Sequence, residues 1–349
     1  MIADLAHFSI GPDYWWVVLI KGVIVLGFLA TAAAYLTLAE RKVSAHIQLR
    51  IGPNRVGPFG LLQPAADAVK LLFKENTAPA GRDKLLFWLA PALMAGAAIL
   101  AYAVIPLSGT TNVNGYALHW NMAHVNVALL YVLAITALGV YAIFLGGWAA
   151  NNKYSLLGAL RSSAQLISYE MAVAFALIGV VILAHSLDLE EIVNAQQHAW
   201  FIVMQPLAGL LYFVGALAET NRLPFDLPEA ETELIAGYHT EYSSMRFGFY
   251  FLGEYVNMVT VCSLATALFL GGWLPLIPWI HSDWLGGLVG VMWFLGKASI
   301  LLFLMMWIRW TLPRLRYDRL MNLGWKVLLP LGLLNIVITG SVVAARAAS

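Results

Sequence analysis

The chain has 349 residues, of which 61% are hydrophobic and only 11% are charged, and its formal net charge is +1 at pH 7. Soluble domains are about half apolar and a quarter charged, so this composition excludes a soluble globular protein and indicates one that crosses a membrane repeatedly. The single cysteine, Cys262, excludes a disulfide framework and any zinc or iron–sulfur site built from the chain's own thiols. No sequence signature of nucleic-acid binding is present.

Eight apolar runs reach or approach the roughly 20 residues that an α-helix needs to cross the bilayer core. We therefore predict an all-α fold, with one membrane domain over residues 1–349 and eight transmembrane helices. The predicted spans are residues 14–39, 85–105, 125–148, 165–184, 200–218, 249–270, 286–310 and 327–344. The first run has no basic residue before Lys21, so we interpret it as a retained span rather than a cleaved signal peptide.

Basic residues are concentrated in alternate connections between these spans. The first, third, fifth and seventh connections, with their edges, hold 17 of the 20 Lys and Arg residues, and the second, fourth and sixth hold none. By the positive-inside rule, the odd-numbered connections are predicted to lie in the cytoplasm. With eight spans, both termini are then on the outer side of the membrane.

The first connection, residues 40–84, is long and is predicted to be ordered. Its Gly-Pro pairs, in IGPNRVGPFG at residues 51–60, prevent a continuous helix. After them, polar residues from Gln63 to Lys74 recur at helical spacing on one face, opposite an apolar face. This pattern predicts an amphipathic helix that is too short to span and lies at the cytoplasmic membrane interface.

Acidic residues are concentrated around the fifth connection, and residues 219–248 form a predicted acidic cytoplasmic loop. Residues 218–254 hold seven of the chain's 19 Asp and Glu residues. Like carboxylates close together in a low dielectric cannot all ionise, so some are expected to hold protons near pH 7. We interpret this loop as a proton or charge relay; the plainer interpretation is a solvated acidic face.

Other charged residues have structural as well as functional interpretations. Glu170 lies within the fourth span, where an ionisable group usually marks a pathway but can be a paired structural acid. Lys297, in the seventh span, could pair with such a carboxylate. Glu219 and Arg222 are three residues apart and could pair at a helix end. Arg309 and the arginines after it either set orientation or bind anionic lipid or an acidic partner. The eight histidines show no metal-ligand spacing.

Six motifs on the predicted cytoplasmic side are specific enough to indicate a family. They are AERK at 39–42, QLRIGPNRVGPFGLLQPAADAVKLLFKE at 48–75, YSLLGALRSSAQLISYE at 154–170, AETNRLPFDLPEAETEL at 218–234, EYSSM at 241–245 and PRLRYDRLMNLGWK at 313–326. Over nearly its whole length, the chain resembles the quinone-site membrane subunit of respiratory complex I, the proton-pumping NADH:quinone oxidoreductase. Arg319 departs from the family pattern, which more usually has Gln there.

The resemblance implies a subunit of an oxidoreductase that forms the membrane part of a quinone access tunnel beneath the peripheral redox arm. It implies quinone as the substrate, no cofactor or metal bound by this chain, and FMN and iron–sulfur clusters in partner subunits. The implied partners are the soluble quinone-module subunits of the peripheral arm, neighbouring small membrane subunits and membrane lipids. The implied location is the bacterial inner membrane.

The resemblance also assigns two sets of residues by matching motif positions. The tunnel and arm-interface set is Glu40, Arg41, Arg50, Arg55, Arg222 and Phe225. The proton-relay set is Glu170, Glu219, Asp226, Glu229, Glu231, Glu233 and Glu254. In the predicted mechanism, quinone reduction changes the charge in its cavity, and the relay acids transmit that change into the bilayer.

Two alternatives remain open from the sequence. One is the homologous subunit of a membrane-bound hydrogenase or a ferredoxin-linked complex, in which no quinone binds. The other is a proton-coupled secondary carrier with the acids as its ion site. Such carriers often have two related halves, which this sequence does not show.

Overall fold

A computed structural model describes residues 15–113, 116–226, 236–275 and 283–348, and these are helical apart from loops and one short hairpin. The all-α fold class is therefore confirmed. The helices are α1 (Trp15–Ile47), α2 (Gln63–Phe73), α3 (Lys84–Tyr102), α4 (Ala128–Ala149), α5 (Lys153–Ala184), α6 (Leu189–Asn194), α7 (Phe201–Met204), α8 (Pro206–Glu219), α9 (Ser244–Phe269), α10 (Asp283–Thr311), α11 (Tyr317–Leu323) and α12 (Leu329–Ala348).

Smaller elements connect these helices. Strands β1 (Thr111–Val113) and β2 (Tyr116–Leu118) pair antiparallel in the second connection. Short 3₁₀ helices cover Pro58–Gly60 and Gly237–His239, and a π-helical segment, Gly324–Leu328, joins α11 to α12.

Seven helical stretches of the described chain are long and apolar enough to cross a membrane, which confirms a polytopic membrane protein. They are Val17–Ile47, Lys84–Tyr102, Ala128–Ala149, Lys153–Ala184, Ser244–Phe269, Gly286–Thr311 and Tyr317–Arg346. Several extend past the predicted spans, since α1 continues from residue 39 to Ile47 and α5 begins at Lys153 rather than residue 165. Hydropathy detects only the apolar part of a helix, so polar extensions beyond the bilayer escape it.

The fifth predicted span is two helices, α7 and α8, with a break at Gln205. Pro206 lacks an N–H group and so cannot continue the hydrogen-bond ladder of α7. The Gln205 amide nitrogen donates to the Gly179 carbonyl at 3.0 Å and to Thr339 Oγ1 at 2.9 Å, so α5 and α12 hold the break. Because α8 has only 14 residues, the count of eight spans stays a prediction.

The amphipathic helix predicted in the first connection is α2. It packs against α1 and α9, and the Leu71 carbonyl accepts a hydrogen bond from Ser244 Oγ at 3.0 Å. Its other apolar side chains remain outside this contact, since Val69, Leu72 and Phe73 are all more than half exposed in this chain. Such a face suits the membrane interface or a neighbouring subunit.

Helix α9 is the centre of the bundle. Its most apolar stretch is almost wholly buried, whereas those of α1 and α12 face mainly outwards. It packs against α1, α3 and α10. Small residues between Cys262 and Ala267 allow close approach of these neighbours, and Thr266 Oγ1 donates to the Cys262 carbonyl at 2.8 Å, which satisfies a buried hydroxyl.

The odd-numbered connections meet on one face of the bundle. Three hydrogen bonds each join two different odd-numbered connections, as alternating spans require. The contacts are Asn151 Nδ2 to the Gly81 carbonyl (3.2 Å), Asn152 Nδ2 to Glu241 Oε1 (2.6 Å) and Leu315 N to the Pro224 carbonyl (3.0 Å).

Lys297 lies within α10 and binds the end of α9. Its ammonium group donates to the carbonyls of Leu270, Gly272 and Leu274 at 2.7, 2.9 and 2.7 Å, and stands 4.6 Å from the centre of the Trp200 ring. A cation at a helix C-terminus satisfies orphan carbonyls and opposes the negative end of the helix dipole. The contacts described for Lys297 are therefore with main-chain carbonyls rather than with a carboxylate.

The backbone contact between Gly158 and Gly237 gives a test of this packing. A Cβ atom on Gly158 would stand 2.8 Å from Gly237 Cα, so Gly158→Ala must push α5 away from the 3₁₀ helix within the acidic loop. We expect a loss of roughly 1–3 kcal/mol in stability, measured as a lower thermal midpoint of the purified complex.

Gly96→Ala is the matched control, because this helical glycine has no atom within 4 Å of an added Cβ. Its midpoint should equal or exceed that of the wild type, since alanine favours a helix more than glycine does. Equal midpoints for the two variants would contradict the close contact.

Candidate functional site

The carboxylate of Glu40, near the C-terminal end of α1, is the centre of a buried charge cluster. Arg222 Nη1 lies 3.3 Å from both of its oxygens, and the Tyr255 hydroxyl donates to Oε2 at 2.6 Å. Arg309 Nη1 donates to Oε1. Only 5% of Glu40 is exposed, so its charge depends on these partners rather than on water. The cluster joins α1, α9, α10 and the turn after α8.

Arg222 is also buried, and it is held by charge rather than by a full set of hydrogen bonds. Burial alone would lower the pKa of Arg222, but the Glu40 carboxylate, Tyr255 and Glu254 together outweigh this effect and raise the pKa above its usual range. The guanidinium lies 4.5 Å from the centre of the Tyr255 ring. Among the described residues, its Nε and Nη2 atoms have no hydrogen-bond partner. Arg222 is therefore a fixed cation, and two of its nitrogen atoms can still donate hydrogen bonds.

Glu254 adds a second buried carboxylate next to this cluster. It is 7% exposed, and its Oε1 atom accepts a hydrogen bond from the Tyr238 hydroxyl at 2.7 Å. Glu254 also interacts electrostatically with Arg222 and with Asp226. Two buried acids and two arginines thus balance each other where α1, α9 and α10 meet the acidic loop.

A separate cavity lies between α3, α4, α5, α8 and α9, with about 450 Å³ of empty space including its open mouth. Its polar wall consists of Glu170 on α5, Glu219 at the end of α8, Thr136 on α4 and Asn257 on α9. The rest of the described wall is apolar. Two carboxyl groups therefore face one small, largely apolar space, and Thr136 lies against Glu219.

The turn that carries Arg222 is attached to the helix that carries Glu170. Gln165 on α5 donates through its amide nitrogen to the carbonyls of Ala218 and Phe225, at 2.9 and 2.8 Å. Phe225 is only 4% exposed, and its ring centre lies 5.3 Å from that of Tyr169. One buried side chain therefore fixes the position of the turn relative to α5.

The remaining residues of the predicted sets lie elsewhere. Arg41 pairs with Asp67 at 2.7 Å and Arg50 donates to Gln48 at 2.7 Å, both on the exposed first connection, where Arg55 is also exposed. Asp226 is partly buried beside the Glu254 group. The predicted relay residues Glu229, Glu231 and Glu233 lie outside the described residues.

Sequence reasoning missed two members of the cluster and one pairing. The proposed pairing of Glu219 with Arg222 is wrong, because Arg222 binds Glu40 and Glu219 faces the cavity. Arg309 was explained only by membrane orientation or by lipid and partner binding, and Tyr255 was not singled out. Both are more than 200 residues from Glu40 in sequence, so no local spacing could have indicated these contacts.

The opposite face holds a second polar cluster that the sequence did not indicate. His124 Nε2 lies 3.3 Å from Asp188 Oδ2, and the Nδ1 atoms of His119 and His124 are each 4.0 Å from Glu190 Oε2. Burial raises the pKa of Asp188, while the Glu190 amide and His124 act in the opposite direction. In the described chain, no three His, Cys, Asp or Glu residues have the arrangement of a metal site.

The fold and these sites define a class: a polytopic helical membrane protein with balanced buried charges on one face and an acidic cavity beside them. The model of the NADH dehydrogenase family matches residues 20–340. The first of two H-type subunits of NADH-quinone oxidoreductase in Geobacter metallireducens is 52% identical over 94% of this chain and 97% of its own length.

Two further relatives have the same description. The second H-type subunit of Geobacter sulfurreducens is 54% identical over 89% of this chain and 91% of its own, and the H-type subunit of Thermomicrobium roseum is 53% identical over 92% and 94%. The chain therefore belongs to the family of H-type subunits of NADH-quinone oxidoreductase, respiratory complex I. It is an inner-membrane subunit of that oxidoreductase, as the sequence motifs predicted.

The Glu40 cluster predicts a large difference between buried and exposed ion pairs. Glu40→Gln leaves two arginines without their shared carboxylate, so we expect a loss of roughly 3–5 kcal/mol in stability. Asp67→Asn is the matched control, because it breaks the half-exposed pair with Arg41 and should cost about 1 kcal/mol or less. Thermal midpoints of the purified complex measure both. Similar midpoints would show that Glu40 is not the support of the cluster.

His239 predicts a pH dependence of stability. It packs edge-on to Tyr238 and Phe247, and burial lowers the pKa of His239 to about 4. The folded pKa is below the unfolded value of about 6.5, so the neutral ring stabilises the fold fully above pH 6.5 and progressively less as pH falls towards 4.

The expected loss approaches about 1.4 kcal/mol for each pH unit within that window. His239→Gln should reduce this acid sensitivity, whereas His46→Gln, at an exposed position, should leave it as in the wild type. Thermal midpoints between about pH 4.5 and about pH 7.5 measure the difference. The same slope in all three proteins would rule out a contribution from His239.

Proposed function

We propose that this subunit forms the membrane wall of the quinone access tunnel and carries the acidic relay that couples quinone reduction to proton translocation. The relatives are named for a quinone acceptor, and we extend that substrate to this chain. The observation that supports the coupling role is the Glu40 cluster, which joins the first connection to the acidic loop through Arg222. A change in charge on one side of this cluster alters the electrostatic potential on the other side.

The tunnel and arm-interface residues form the first part of the proposal. Glu40 and Arg222 are buried at the junction, whereas Arg41, Arg50 and Arg55 lie on the exposed first connection. Exposed guanidinium groups suit contacts with a soluble partner, because they bind carboxylates through several hydrogen bonds. We assign this surface, residues 40–84 with α2, to the soluble quinone-module subunits of the peripheral arm.

The relay forms the second part. Reduction of the quinone head changes its charge, and Arg222 is the cation that responds, since it already balances Glu40 and Glu254. Asp226 extends this group of acids towards residues 227–235, where Glu229, Glu231 and Glu233 belong. The rest of the acidic loop, residues 219–248, then passes the change in protonation to Glu219 at the start of the loop. Glu170 carries this change into the bilayer.

Gln165 supplies a mechanical link between the two parts. Because it holds the turn at Ala218 and Phe225 against α5, a shift of that turn also moves the wall that carries Glu170 and Glu219. Two carboxyl groups facing one small space cannot both ionise without a large repulsion, so Glu170 and Glu219 share a proton. Movement of the wall changes where that proton is bound.

Orientation and partners complete the proposal. We place the four odd-numbered connections, which meet on one face, in the cytoplasm, and both termini on the outer side. FMN and the iron–sulfur clusters belong to partner subunits, since this chain has one thiol. Small membrane subunits and lipids cover the outward faces of α1 and α12.

The relay predicts a specific defect in the assembled complex. Glu219→Gln and Glu170→Gln should each lower coupled quinone reduction by about tenfold or more, while NADH oxidation with an artificial acceptor remains normal. Glu190→Gln is the matched control, because this acid lies on the opposite face with His119 and His124. Wild-type quinone reductase activity in both assembled relay variants would defeat the proposal.

A further inference from the structure

Among the described residues of the cavity wall, the polar side chains without a role in the proposed relay are Thr136, which lies against Glu219, and Asn257. Asn257 lies on α9, the most buried helix, and faces the same space as the two acids. Its Oδ1 atom is buried and has no hydrogen-bond partner among the described residues. An unsatisfied buried carbonyl is costly, and an apolar side chain could fill this position without that cost.

The charges around the cavity determine what Asn257 can bind. Of the wall residues that the structure describes, Glu170 and Glu219 alone are titratable, and none is basic. Outside the wall, Tyr212 interacts electrostatically with Glu219. Glu254, one turn before Asn257 on α9, instead binds Tyr238 and interacts with Arg222. The ionisable groups that share this space are therefore the two relay acids.

A carbonyl oxygen accepts hydrogen bonds but donates none, so it distinguishes the two forms of a carboxyl group. A protonated carboxyl can donate to the Asn257 carbonyl, directly or through a water molecule, whereas an ionised one cannot. Such a bond stabilises the protonated form, because hydrogen bonding to the neutral form of an acid disfavours its ionisation.

We infer that Asn257 is a positioning residue that accepts a hydrogen bond from the proton shared by Glu170 and Glu219, and so retains that proton in the cavity. This inference rests on the proposed relay. A neutral side chain then sets the pH range over which the relay holds its proton.

Two variants of the assembled complex, matched to each other in shape, test this role. Asn257→Val removes the acceptor, and Asn257→Thr has the shape of valine but keeps an oxygen that accepts hydrogen bonds. In Asn257→Val, the alkaline limb of the pH profile of coupled quinone reduction should move to lower pH by roughly half to one unit. Asn257→Thr should reverse most of this shift.

Asn257→Asp tests the sign of the effect. A third carboxylate at the cavity raises the proton affinity of the other two, so the alkaline limb should move to higher pH. Asn335→Val is the matched control, because Asn335 is a buried asparagine on α12 that does not line the cavity. It should leave the pH profile unchanged.

An infrared readout separates positioning from packing. The difference band of the protonated carboxyl, identified by its loss in Glu219→Gln or Glu170→Gln, should move in Asn257→Val and return in Asn257→Thr. An unchanged alkaline limb and an unmoved band in Asn257→Val would overturn the inference. A defect in Glu219→Gln and Glu170→Gln together with normal Asn257 variants would leave the relay standing and remove only this residue from it.

Discussion

The carboxylate of Glu40 joins parts of the chain that are far apart in sequence. Its partners Arg222, Tyr255 and Arg309 lie 182, 215 and 269 residues further along. A buried carboxylate is tolerated only beside compensating cations and donors, so the ends of α1 and α10 and the turn after α8 must keep their positions together. The acidic loop begins from this fixed point, and both the proposed tunnel wall and the proposed relay depend on it.

Two kinds of acid site result from the same fold. Near Glu40 the acids are balanced by arginines, so they act as fixed charges, whereas the cavity acids Glu170 and Glu219 face apolar and neutral groups. A fixed charge changes in energy when a neighbouring charge changes. An acid with no counterion among the described residues responds instead by binding or releasing a proton. Gln165 joins the two sites through main-chain carbonyls on either side of the turn.

The sequence was sufficient for the class of fold, the placement of seven spans and the family, because hydropathy, basic residues and motifs are local signals. It could not place the contacts of the site. The pairing of Arg222 with Glu40 depends on helix packing, and the local alternative, Glu219, was wrong. The break at Gln205 was missed because the flanking residues are apolar throughout, although Pro206 marks the position.

Lys297 has an electrical consequence for the end of α9. Donation to three carbonyls requires all three protons of an ammonium group, so this side chain is cationic, and its described partners are carbonyl dipoles and an indole ring without formal charge. The carbonyl dipoles offset part of this charge, and the remaining positive potential repels cations that approach it. The end of α9 therefore carries a fixed positive charge inside the bundle, and no carboxylate is among the described partners of that charge.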